Sequence, residues 1–110
     1  MEETGDVMTD FVKVAEASDI PAGRVKVVEV NGKRIALCNV DGEFYAIDDL
    51  CTHDDGPLDQ GELRGDVIEC PRHGARFNVR TGRVLALPAV KPLGTYPLKV
   101  DGTQIRVALP

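Results

Sequence analysis

The chain has 110 residues, 43% of them hydrophobic and 28% charged, which supports one compact core and excludes both a disordered and a membrane-embedded chain. Its net charge of -5 argues against a nucleic-acid partner, which asks for clustered Lys and Arg, and leaves proteins or small molecules. The acidic, polar start "MEETGDVMTD" lacks the basic and apolar regions of a secretory signal, and no later run reaches the length of a membrane span, so a cytoplasmic protein is expected.

In chain order, residues 1–10 read as a flexible N-terminal segment and 11–110 as a single domain. The stretch "VAEASDIPAG" offers at most one helical turn, beginning after Ser18 or Asp19 with Pro21 at an early position. Strands are predicted at "RVKVVEV", "KRIALCNV" and "EFYAI", then at "TYPLKV" and "TQIRVAL". Asn31-Gly32, Asp41-Gly42, Thr81-Gly82 and Asp101-Gly102 supply turn residues beside them, since Asn-Gly and Asp-Gly accept the positive φ angles of two-residue hairpins. Many short strands with close turns predict an all-β fold, a small antiparallel sandwich or barrel.

Two loops interrupt that pattern, "CTHDDGPLDQG" and "CPRHGARFNVRTGR". A hairpin in "GELRGDVIE", turning near Arg64-Gly65, places them side by side at its base. The loops hold both histidines and two of the three cysteines. An odd cysteine count without a secretion signal speaks against a disulfide framework. Cys38, between apolar neighbours in "RIALCNV", reads as a small buried hydrophobe rather than a ligand.

Written as spacing, the loops give Cys51-x-His53, sixteen intervening residues, then Cys70-x-x-His73. Two cysteines and two histidines satisfy tetrahedral zinc, but structural zinc sites usually pair Cys with Cys and His with His along the chain. Mixed loops suit a binuclear core in which the cysteines hold one metal and the histidines the other, as in a [2Fe-2S] centre where His replaces Cys on one iron. A zinc module and a site without metal remain the alternatives.

"CTH" with "CPRHGARF", the "TG" at Thr81 and the segment "LPAVKPLGTYPLKV" resemble the Rieske-type [2Fe-2S] ferredoxins, the ferredoxin components of ring-hydroxylating dioxygenases, over nearly the whole chain after residue 10. The resemblance implies a Rieske fold with a two-loop cluster-binding subdomain at about 48–92. It implies that Cys51 and Cys70 hold the inner iron and His53 and His73 the outer one. Gly56, Pro57, Pro71, Gly74, Phe77 and Pro88 then shape the loops around the cluster, and Leu87 to Leu93 forms a third loop covering it. Gly56, Pro57 and Pro71 also read simply as turn formers.

Rieske proteins of respiratory complexes carry a Ser after the His-Gly pair, a Tyr two residues later and an extra cysteine in each loop. Here Ala75 and Phe77 replace the hydroxyl donors, and Gly56 and Arg72 stand in place of the cysteines. The expected reduction potential therefore lies in the lower part of a window of about -150 to +300 mV. Asp54-Asp55 and Asn78 also depart from the family's commoner residues.

Oxygen activation needs a second iron on two histidines and a carboxylate, and both histidines are already used, so an electron carrier rather than an enzyme is expected. The resemblance implies a monomer passing electrons from an NAD(P)H-dependent flavoprotein reductase to a terminal oxygenase. The other reading is the small subunit of an assimilatory nitrite reductase. Asp54, Asp55 and Asp59 form either an acidic rim for a basic partner or a solvated loop balanced by Arg72, Arg76, Arg80 and Arg83.

Overall fold

The computed structural model describes residues 11–50, 57, 58, 61–71, 74–87, 89 and 91–108. Its strands are β1 (Phe11–Glu16), β2 (Val25–Val30), β3 (Lys33–Val40), β4 (Glu43–Asp48), β5 (Glu62–Arg64), β6 (Val67–Glu69), β7 (Arg76–Asn78), β8 (Val84–Ala86), β9 (Thr95–Tyr96), β10 (Leu98–Asp101) and β11 (Gln104–Ala108). They form three antiparallel sheets in the orders β1-β11-β10, β2-β3-β4-β9 and β5-β6-β7-β8. The all-β expectation holds. Among the described residues no helix is long and apolar enough to cross a membrane.

β3 explains how the three sheets are joined, with one core on each of its faces. Alternate side chains of a strand face opposite ways. Ile35 and Leu37 pack with Ala15, Ala46, Ile105 and Val107 against the first sheet. Ala36, Cys38 and Val40 pack on the other face with Leu58, Ile68, Phe77 and Leu93. Both faces are covered, so "IALCNV" is buried throughout, and Cys38 lies in the core as its apolar neighbours indicated.

The turns follow from their residues. Asn31-Gly32 and Asp41-Gly42 have positive φ at both positions, the condition for a hairpin turn whose twist matches its strands. The β10–β11 turn is displaced by one residue: Asp101 pairs with Gln104, so Gly102, with φ 65°, takes the first turn position.

Elsewhere the structure corrects the sequence. The single helical turn is a 3-10 turn over Ala17–Asp19, ahead of Pro21 rather than containing it, because Val14 to Glu16 continue β1. "TYPLKV" is two strands. Pro97, with no N–H to donate, ends β9 beside β4 and lets β10 begin beside β11. Thr81-Gly82 lies in a turn as expected: residues 79–83 join β7 to β8, Gly82 has φ 79°, and the Asn78 side-chain oxygen accepts from the amides of Arg80 (2.8 Å) and Thr81 (3.2 Å). The expected flexible segment 1–10 lies outside the described residues.

Candidate metal centre

The third sheet is built from one run of chain, residues 62–86, and its hairpin β5–β6 turns at Gly65, φ 58°. Glu62 pairs with Glu69 at the open end, so Gly61 and Cys70 flank the base as the turn chemistry predicts. Here the backbones are in close contact. A Cβ added to Gly61 overlaps the Glu69 carbonyl oxygen, so only glycine fits. The amide of Gly61 donates to the carbonyl of Leu58 (2.8 Å), and the Leu58 side chain is fully buried against the core that holds Cys70. The exit of the first loop thus meets the start of the second.

Cys70 is 1% exposed and free of any disulfide. Two backbone hydrogen bonds close its turn: the Cys70 amide donates to the Ala75 carbonyl (2.7 Å), and the Gly74 amide donates to the Cys70 carbonyl (3.1 Å). Gly74 has φ 81°, a left-handed conformation that a side chain disfavours, which accounts for glycine directly after His73. Pro71 is exposed at the start of this turn, and Gly74 is half-buried. Phe77 is fully buried in β7, paired with Ile68, and belongs to the same core as Cys70. Pro57 is exposed. Cys51, His53, Gly56, His73 and Pro88 lie outside the described residues, as do Asp54, Asp55 and Asp59 of the expected acidic rim.

The segment after β8 leaves Leu87 exposed, while Ala89 and Leu93 enter the same core as Leu58 and Cys70. The Leu93 amide donates to the Gly82 carbonyl (2.8 Å), and a Cβ on Gly82 would strike the Leu93 carbonyl. This fastens the segment to the β7–β8 turn.

Two adjacent carboxylates at the end of β4 were not singled out in the sequence. Asp48 accepts from the Tyr96 hydroxyl, and its amide donates to the Gly94 carbonyl (2.9 Å). Burial first, then the hydrogen bond to Asp48, pushes the Tyr96 phenol up to about 12. Asp49 points to the other side, is 3% exposed, and takes Arg34 and the Leu58 amide as partners. The available signal was an acidic pair at the end of an apolar strand, its second member two positions before a ligand-type cysteine.

The donor chemistry fits an iron-sulfur group held by thiolate and imidazole. Cys70 offers a buried, unbridged sulfur in a turn whose Cys70 and Gly74 amides donate to backbone oxygens, and it belongs to an apolar core. The two cysteines and two histidines of the loops are of the types that a mixed thiolate and imidazole centre uses.

The Rieske [2Fe-2S] domain family matches residues 10–97. The ferredoxin component of the naphthalene 1,2-dioxygenase/salicylate 5-hydroxylase systems of a Ralstonia species is 44% identical over 100 residues, 91% of this chain and 96% of its own. The ferredoxin of carbazole 1,9a-dioxygenase from Nocardioides aromaticivorans IC177 superposes with a TM-score of 0.84 at 38% identity, covering 88% of this chain and 95% of that one. A ferredoxin solved in a complex of reduced oxygenase and oxidized ferredoxin in carbazole 1,9a-dioxygenase gives a TM-score of 0.85 at 41% identity, covering 89% and 92%. With its motif, its sheets and these relatives in agreement, the chain belongs to the Rieske [2Fe-2S] domain family, among its ferredoxins.

Proposed function

We propose that Cys51, His53, Cys70 and His73 hold the [2Fe-2S] cluster of this ferredoxin, and that it carries single electrons from an NAD(P)H-dependent flavoprotein reductase to a terminal oxygenase. The observation that carries the partner reading is the near full-length identity to a dioxygenase ferredoxin component. The relative solved together with its oxygenase supports the acceptor.

When bound, such a cluster accepts and gives up one electron at a time. The chain's own residues keep that site dry and fixed. Phe77, Leu58 and Ala75 are fully buried beside Cys70 and exclude water from its sulfur. Gly74 sets the turn in which the second pair of ligands lies. Gly56, Pro57, Pro71 and Pro88 are read as shaping the loops in the same way. Residues 48–92 act as one cluster-binding unit within a single domain, 11–110, in a monomeric, cytoplasmic protein. Exchange of electrons with two partners in turn requires brief encounters.

The test is stopped-flow reduction of the ferredoxin by a purified flavoprotein reductase with NADH, followed by mixing with oxygenase. Bleaching on reduction and recovery of colour with oxygenase are expected. A lasting stoichiometric complex with a large haem-containing reductase, and no oxidation by oxygenases, contradicts this reading and favours the nitrite reductase subunit.

A further inference from the structure

The two candidate ligand loops are closed by different means. Residues 70–75 are tied by backbone hydrogen bonds. Among the described residues, the longer first loop is tied by a side chain. The amide of Leu58 donates to Asp49 Oδ1 at 2.9 Å. Asp49 Oδ2 accepts from Arg34 Nη2 at 2.9 Å and Nε at 3.2 Å. The Asp49 amide donates to the Arg34 carbonyl at 3.1 Å, so the loop's entry is fixed to β3 as well.

The Asp49 side chain is wholly buried, whereas that of Arg34 is 56% exposed. Burying a carboxylate is costly, and an apolar pair of similar volume often serves stability as well or better. A carboxylate offers what an apolar side chain cannot: directed acceptance from the far end of a loop and from the neighbouring strand at once. Its negative charge is also felt in the shared core, where it contributes, after burial, to raising the Cys38 thiol.

From this geometry we infer that Asp49 is the positioning residue of the first ligand loop. Its carboxylate joins residue 49 to residue 58, the described positions that bracket Cys51 and His53 in the chain, and ties both to Arg34 of β3. The inference rests on the ligand assignment proposed above and adds a residue outside the motif.

The test uses the holoprotein with Asp49→Ala and Asp49→Asn. Iron release to an excess chelator at neutral pH is timed, and hydrogen exchange is followed by mass spectrometry in peptides from 50–58 and from β2 and β3. Asp49→Ala is expected to release iron about tenfold faster or more, the scale of losing a charge-assisted hydrogen bond. Exchange in 50–58 rises while β2 and β3 stay within about twofold of wild type. Asp49→Asn keeps an oxygen for Leu58 but turns an N–H toward Arg34, so about threefold faster release is expected; it carries the test alone if the alanine variant fails to fold. Unchanged exchange in 50–58 in the folded variants, or acceleration spread equally over β2 and β3, overturns the inference. Wild-type protein that takes up no iron and sulfide overturns the ligand assignment instead, and the exchange comparison still judges the loop tie.

Discussion

Cys38 and Cys70 share one apolar core, yet their surroundings give them different chemistry. Cys38 sits mid-strand between sheets, and burial, helped by the Asp49 charge, pushes its thiol up to about 12. It stays protonated and acts as packing. Both Cys38 and Tyr96 therefore bind a proton more tightly folded than unfolded. Raised folded values mean their stabilising effect is complete below the unfolded values, from about 9 for thiol and 10 for phenol, and disappears as pH rises towards 12. Urea midpoints are expected to fall above about pH 9, with a shallower decline in Cys38→Ala and Tyr96→Phe; a parallel decline in all three proteins contradicts this. Ala75, fully buried and bonded through its carbonyl to the Cys70 amide, stands where a hydroxyl donor would raise the potential. Wild type is expected in the lower part of the window of about -150 to +300 mV, and Ala75→Ser above it, by potentiometric titration. Asn78 has its own logic: its amide nitrogen donates to Asp66 at 3.3 Å while its oxygen caps the next turn, a pairing that Asp cannot make.

At the scale of elements, the site depends on the hairpin β5–β6 and its closely packed base. Gly61→Ala drives a methyl group into the Glu69 carbonyl, and separation of the two loop ends is the only relief. A loss of about 2–4 kcal/mol in urea unfolding is expected, with reduced iron occupancy. Unchanged stability and occupancy contradict the close approach. This hairpin was legible from its turn residues and alternation, as were β2, β3, β4 and β11. β1 was not, because the register shift between Lys13 and Ala15 breaks the alternation by which strands are read. β7 and β8 are three residues each, too short to show a period. The ligand pattern stood out because Cys and His are rare here and spaced by chemistry. The ties of Asp48 and Asp49 were hidden, because their partners Tyr96, Gly94, Leu58 and Arg34 are distant in sequence and meet only in the fold.

Across the whole molecule, the described surface near the third sheet is a mosaic of both signs. Arg76 lies 3.4 Å from Glu69, and Arg80 lies 3.4 Å from Asp66 and 3.5 Å from Glu43, over the Tyr45 ring. Such exposed pairs neutralise one another locally, leaving net charge to the remaining acidic residues. If Asp54 and Asp55 steer a basic partner, Asp54→Asn and Asp55→Asn slow electron transfer and flatten its dependence on ionic strength; unchanged rates leave a solvated loop. The proposed electron transfer finally depends on one [2Fe-2S] group and on its proposed ligands Cys51, His53, Cys70 and His73. The most direct measurement is iron and acid-labile sulfide content together with the paramagnetic resonance spectrum after dithionite reduction, in wild type, Cys70→Ser and the double variant His53→Ala with His73→Ala. About two irons and two sulfides per chain are expected in wild type, with a rhombic signal that disappears in both variants. A colourless wild-type protein containing zinc without sulfide, or a signal that persists when these ligands are replaced, contradicts the account.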